Sequence, residues 1–180
     1  MKRHVAGTLL GVLGFFIIDS HIDWVRHDNG TLLEINGQQL DAQGWMAEHW
    51  RQLRQDCRSV LTDTVTASAT AGAVLQTIQQ HSLPDSLDAR LLQLHTQADW
   101  AIAEAEFNTL NPSIVVLRKQ HGHWRIQDSA MWSGSTAPWL PADFVRRYLR
   151  QQAPELPQAL LDCMPIDARR YAATASGAGV

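Results

Sequence analysis

Asp128 lies in the run Trp124-Arg125-Ile126-Gln127-Asp128-Ser129-Ala130-Met131-Trp132, whose alternate members are Trp124, Ile126, Asp128, Ala130 and Trp132. Along a β-strand those five side chains share one face. A carboxylate among four apolar or aromatic neighbours is desolvated, its pKa rises unless it is paired, and it then suits general acid–base work near neutrality. The competing fate of a buried charge is pairing with an arginine, or capping of backbone amides where a strand bends, and the residue types favour that fate for Asp128. Glu104 and Glu106 share a strand face with Trp100 and Ile102. If that face met Asp128, several carboxylates would gather as they do in acid–base and metal sites. Alternating polar residues are also what a half-exposed strand shows, which places both glutamates in solvent.

His121 and His123 flank Gly122 with no third ligand nearby in sequence, whereas catalytic zinc commonly takes three protein ligands. His21, Asp23 and His27 form a similarly loose cluster. The chain contains no G-x-S-x-G, phosphate loop, H-E-x-x-H or dinucleotide fingerprint, so neither metal nor cofactor is expected. Cys57 and Cys163 match no zinc or redox spacing. In an oxidising compartment they would form one bridge closing a long loop, worth about 3–4 kcal/mol; in a reducing one they would be buried thiols.

The elements that must position these groups read as follows. Ile22–Arg26 and Thr31–Ile35 form a hairpin across Asp28-Asn29-Gly30, Asn36-Gly37 makes a further turn, and Asp41 caps a helix over about Ala42 to Leu61. In that helix Met46, Trp50, Leu53, Cys57 and Val60 recur at spacings of four and three, an apolar stripe that predicts a core-facing side. A loop over Thr62–Ala73 leads to a helix near Ala73–His81, and Leu87, Leu91 and Leu94 mark a short amphipathic helix. Strands over Trp100–Phe107, Ser113–Gln120 and Trp124–Trp132 follow, the last two joined at Gln120-His121-Gly122-His123. Ala142–Gln152 reads as a helix with Phe144, Tyr148 and Leu149 inward, Leu160-Leu161 as a last packed turn, and the chain from Arg170 as a frayed tail.

A chain of 180 residues is long enough for one domain with a sizeable core. Net charge is −3 and the only lysines are Lys2 and Lys119, so nothing suggests nucleic-acid binding. Seven tryptophans line either a core or a binding cleft. Met1-Lys2-Arg3-His4 is a basic head, and Val5–Ile18 is a charge-free run of 14 residues ended by Asp19. That run is closer to a signal-peptide core than to the roughly 20 residues a membrane span needs. Cleavage after Ser20 would place Ile18 where a small residue is preferred, so an uncleaved anchor with its basic residues on the cytoplasmic side stays open. A buried strand is the third option for the run. The expected organisation is a signal peptide or membrane anchor over 1–20, a single α+β domain over 21–170 and a flexible tail over 171–180.

The succession of helices, a strand, the segment V-V-L-R-K-Q-H-G-H-W-R-I-Q-D and a helix, over about Leu87 to Arg150, resembles the nuclear-transport-factor-2-like superfamily. Gly122, Trp124, Arg125, Ile126 and Asp128 carry the resemblance. It implies an α+β fold with a curved antiparallel sheet around a cone-shaped pocket roofed by helices; exported members include lipid carriers and small periplasmic proteins. This architecture hosts enzymes, carriers and interaction modules alike. The expected pocket is lined by Trp100, Ile102, Trp124, Ile126 and Trp132, with Trp139 as a lid. The expected function is a noncatalytic bacterial envelope protein, periplasmic or anchored in the inner membrane facing the periplasm. It would bind a partner protein or small apolar ligand, as a component of a secretion or surface machine or as an immunity-type protein. The alternatives are a small enzyme with Asp128 as general acid–base, assisted by Glu104 or Glu106, and a soluble cytoplasmic interaction module in which Val5–Ile18 is core.

Overall fold

The structure, a computed structural model, describes residues 22–63 and 68–171. The segment 1–20, expected as signal or anchor, and the tail beyond Tyr171 lie outside the described residues, as does His21 of the loose histidine cluster. The fold is α+β, built on two antiparallel sheets.

The first sheet has the order β1-β2-β3, formed by β1 (Ile22–His27), β2 (Gly30–Ile35) and β3 (Gln38–Leu40). Its turns follow the residue types. Asn36 and Gly37 both take positive φ, the pairing that suits a tight two-residue hairpin. Gly30 also has positive φ, and a Cβ there would press on the Trp139 ring. Helix α1 (Ala42–Arg54) starts where expected, with Gly44 N–H donating to Asp41 Oδ1 at 2.7 Å. It ends seven residues early, and Cys57 lies beyond it. The stripe of Met46, Trp50 and Leu53 does not face the core: all three are exposed, and the only buried residue of α1 is Gly44.

The second sheet has the order β4-β5-β6-β7-β8, from β4 (Leu61–Asp63), β5 (Arg90–Gln97), β6 (Trp100–Glu106), β7 (Ser113–Gln120) and β8 (His123–Ser133). Leu91 and Leu94 lie in β5, not in the expected amphipathic helix. In a regular strand a spacing of three would put them on opposite faces, but a bulge between Leu91 and Gln93 puts both on one side of the sheet. A second irregularity, opposite Val115–Leu117, falls within β8.

Both faces of this sheet are covered. Helix α2 (Ala69–Gln79), four residues earlier than expected and capped by Ser68, packs Ala71, Val74 and Ile78 against Leu94, Ala101, Ala103, Ala105, Val115 and Leu117. Alanines at alternate positions of β6 let the helix approach closely. Helices α3 (Pro141–Gln152), α4 (Gln158–Cys163) and α5 (Ala168–Tyr171) cover the other face. Val145, Leu149, Leu160, Leu161 and Tyr171 meet Trp100, Ile102, Ile114, Val116 and Ala130 there. Tyr171 is fully buried and so belongs to the core instead of to the expected tail. Cys57 and Cys163 form a disulfide that ties the segment after α1 to the end of α4.

Candidate functional site

The five residues expected to line one pocket are divided between the two faces of the sheet. Trp100, Ile102 and Trp132 belong to the layer under α3, α4 and α5, whereas Trp124 and Ile126 belong to the layer under α2. The physical reason is the irregularity in β8. Leu117 faces Ile126 and Val115 faces Met131, so four residues of β8 occupy the space opposite Val116. Side-chain alternation is reset there, and Trp124 and Ile126 no longer share a face with Ala130 and Trp132. The expected concave apolar cavity is accordingly filled: Trp100 and Ile102 are buried in packed core. Arg118 covers the Trp100 ring at 4.9 Å, and Trp132 packs edge-on against Phe144 and Tyr148. Trp139 is buried against Phe144, His27 and Gly30, and so is part of the wall instead of a lid.

Asp128 falls within the irregularity and points to solvent, 82% exposed, with His81 Nδ1 3.9 Å from its carboxylate. It is neither desolvated nor paired with an arginine. Glu104 shows the opposite reversal. Expected in solvent, its side chain is 1% exposed and held by three partners: Tyr171 Oη donates at 2.9 Å, Gln93 Nε2 at 2.6 Å, and Arg170 Nη1 lies 3.2 Å away. Burial first, and then the Glu104 carboxylate, pushes the Tyr171 hydroxyl above its ordinary pKa, so it stays a donor. Glu106 is ion-paired with Arg90 at the strand end. The carboxylates therefore do not converge, and the Glu104 cluster reads as a lock for α5. Among the described residues no group of three or more His, Cys, Asp or Glu side chains could hold a metal.

A second buried charge was not foreseen. Arg146 of α3 donates to Glu48 Oε2 at 2.7 Å and to the carbonyls of Leu161 (3.0 Å), Met164 (2.5 Å) and Ala142 (3.1 Å). Burial, only partly offset by Glu48, pulls this guanidinium down to about 10. Arg51 completes the set through Glu48 and the Asp162 carbonyl. This cluster fastens α1 to α3 and α4. Nothing in the helical periodicity signalled it, because the apolar stripe over Ala42–Leu61 puts Arg51 on the opposite, solvent side.

What remains open is a groove between α2 and β8, about 800 Å³ in volume. Thr70, Ala73 and Thr77 form its helix wall, while Trp124, Ile126 and Lys119 rise from the sheet. The Lys119 ammonium lies 5.8 Å from the Trp124 ring centre. β8 is the edge strand. Its hairpin closes through two residues of positive φ, His121 and Gly122, flanked by the pair Gln120–His123. In such a hairpin the flanking pair exchanges both hydrogen bonds and alternation continues from there. Arg118–Arg125 is then a bonded pair, while Trp124 and Ile126 direct their N–H and C=O groups away from β7. Among the described residues neither makes a backbone hydrogen bond outside the ladder. The groove thus joins an unpaired strand edge, an indole surface and a helix wall of small residues. Compared with protein-family models, curated proteins and solved structures, the chain matches none.

Proposed function

We propose that this chain is a noncatalytic protein of the bacterial envelope that holds an extended segment of a partner protein in the groove between α2 and β8. The open edge at Trp124 and Ile126 carries the reading. An extended peptide laid there gains main-chain hydrogen bonds from the edge and side-chain contacts from Trp124 and the α2 wall, the mode by which sheets capture peptides. The partner is a protein instead of a small apolar ligand because the side of the sheet at Trp100, Ile102 and Trp132 is filled, while polar side chains predominate among the residues of the open groove.

The address rests on two features. A basic head and a charge-free run precede the described residues, and Cys57 and Cys163 are joined, as suits an oxidising compartment. The periplasm, or the inner membrane facing it, is the reading these favour. A component of a secretion or surface machine, or an immunity-type protein, would use such a groove. The nuclear-transport-factor-2-like architecture remains the fold reading; a bulged five-stranded antiparallel sheet packed against helices supports it.

The test is selection of peptides from a displayed random library on the full chain, followed by titration. Trp124→Ala is expected to weaken the selected peptides at least about tenfold. Ile126→Pro removes an outward donor without a ladder bond, and is expected to weaken them comparably in a folded protein. Peptides that bind both variants as tightly as the parent would exclude this groove.

A further inference from the structure

Helix α1 is turned inside out. The residues toward the body are Gly44, Glu48 and Arg51, one narrow polar stripe held by Arg146 and the Asp162 carbonyl. The residues toward solvent are Trp45, Met46, Trp50 and Leu53, each between 49% and 66% exposed. Burying that stripe would be favourable, yet ion pairs and a disulfide hold the helix in the orientation that leaves it open. The exposed surface continues onto the small sheet. Trp24 faces Leu33 and Leu33 faces Leu40 across the strands, so the three share a face. Leu33, Leu40 and Trp45 then border one apolar hollow of about 470 Å³ with Trp139.

Three observations identify what covers this face. Two arginines border it: the Arg54 guanidinium lies over Trp50 at 5.1 Å, and Arg26, two residues after Trp24 on β1, shares its side of the strand; Asp41, at the wall of the hollow, is occupied by the N–H groups of Gly44 and Leu140. Glu48, the one acidic residue of α1, is turned inward. Tryptophans with polar N–H groups, beside arginines that can reach past them, are the composition of a surface at headgroup depth. Finally, Val5–Ile18 ends three residues before β1, and three residues reach at most roughly 11 Å. A run shorter than the roughly 20 residues of a span binds weakly alone, and stable association takes a second element.

We propose that the face formed by α1 and the Trp24–Leu33–Leu40 row rests on an anionic lipid bilayer, as that second membrane-binding element. This rests on the envelope reading above, with the N-terminal run retained. The face and the α2–β8 groove are formed by separate elements, so membrane attachment and partner capture occupy different surfaces.

All seven tryptophans lie at position 24 or later, so indole fluorescence reports the folded part and is blind to the N-terminal run. The full chain is mixed with vesicles of phosphatidylcholine and phosphatidylglycerol, part of the lipid carrying bromine on its acyl chains. Vesicle pelleting together with indole quenching is expected. Trp45→Phe with Trp50→Phe keeps pelleting and loses roughly half or more of the quenching, because the reporters are gone and the apolar face is not. Trp45→Ser with Leu53→Ser, both surface changes that leave the far-ultraviolet spectrum unaltered, weakens binding about tenfold, so that pelleting and the quenching of the remaining tryptophans fall together. Pelleting without quenching would overturn the docked face and leave the envelope reading standing. Failure to pellet, joined to a soluble cytoplasmic product in cells, would overturn both. Lipid-free self-association that Trp45→Ser with Leu53→Ser removes would assign the face to a second copy and overturn the proposal.

Discussion

His95 shows how one side chain responds to being enclosed. Its ring sits between Thr62 Oγ1 (3.1 Å from Nδ1) and Gln93 Oε1 (3.2 Å from Nε2), and burial lowers its pKa below the ordinary 6.5. The unfolded chain therefore takes up a proton near pH 6.5 that the folded chain resists. The stability it confers is complete above that pH and declines as pH falls toward the folded value. Thermal unfolding measured across pH is expected to show a midpoint that falls as pH drops below about 6.5 and that His95→Gln flattens; an unchanged slope in the variant would reject the assignment. Glu48 acts in a lower window. Burial alone would raise its pKa, but hydrogen bonding by Arg51 and the charge of Arg146 outweigh it, so the net value lies below 4.5 and its contribution is lost as pH falls through that lowered value. At this scale the sequence misled in both directions. Asp128 was placed in apolar surroundings and is exposed, while Glu104 was placed in water and is buried. Strand alternation assigns faces but carries no information about a reset of phase or about Tyr171 arriving from 67 residues away.

At the level of elements, hairpins, caps and strands were legible because their determinants are local. Asn36-Gly37 and His121-Gly122 take the positive φ that tight turns require, and Asp41 caps α1 by its own side chain; Ser68, within the stretch that reads as a loop, caps α2 in the same way. In β5 the bulge mimics a helical spacing, and in α1 the apolar stripe faces outward where a core-facing side is expected. The periodicity was right and its direction was not, since direction depends on Arg146 and Cys163, both distant in sequence. The disulfide also holds the segment after α1 against α4. Replacing Cys57 and Cys163 by serine is expected to remove about 2–5 kcal/mol of stability, read from urea unfolding with a separate check of helix content. An unmoved midpoint would show that the ion pairs alone keep the segment in place.

Over the whole molecule, two regions differ in what binds them. β5 to β8 are enclosed between apolar layers on both faces. β1 to β3 and α1 lie outside both layers, and beside the packing of Trp139 on His27 and Gly30 they are joined to the rest by polar links: Glu48–Arg146, Leu140 N–H to Asp41 Oδ2 at 3.0 Å, and Arg147 Nη1 to the Asn29 carbonyl at 3.1 Å. Hydrogen exchange followed by mass spectrometry is expected to release β1–β3 and α1 before β6 and β7, with the interval widening in about 1 M salt as the charged links are screened. Uniform exchange across both regions would contradict this. The sequence could foresee the ribbons but not that helices cover both of their sides, because which elements meet depends on chain path and not on any single pattern. β8 bears the consequence most directly. Up to Ile126 it is the bank of an open channel, and from Ala130 it is a beam within a closed interior. Substitutions in its first half can therefore retune what the channel accepts while the second half keeps the scaffold standing, so recognition and folding are written on one strand in separate words.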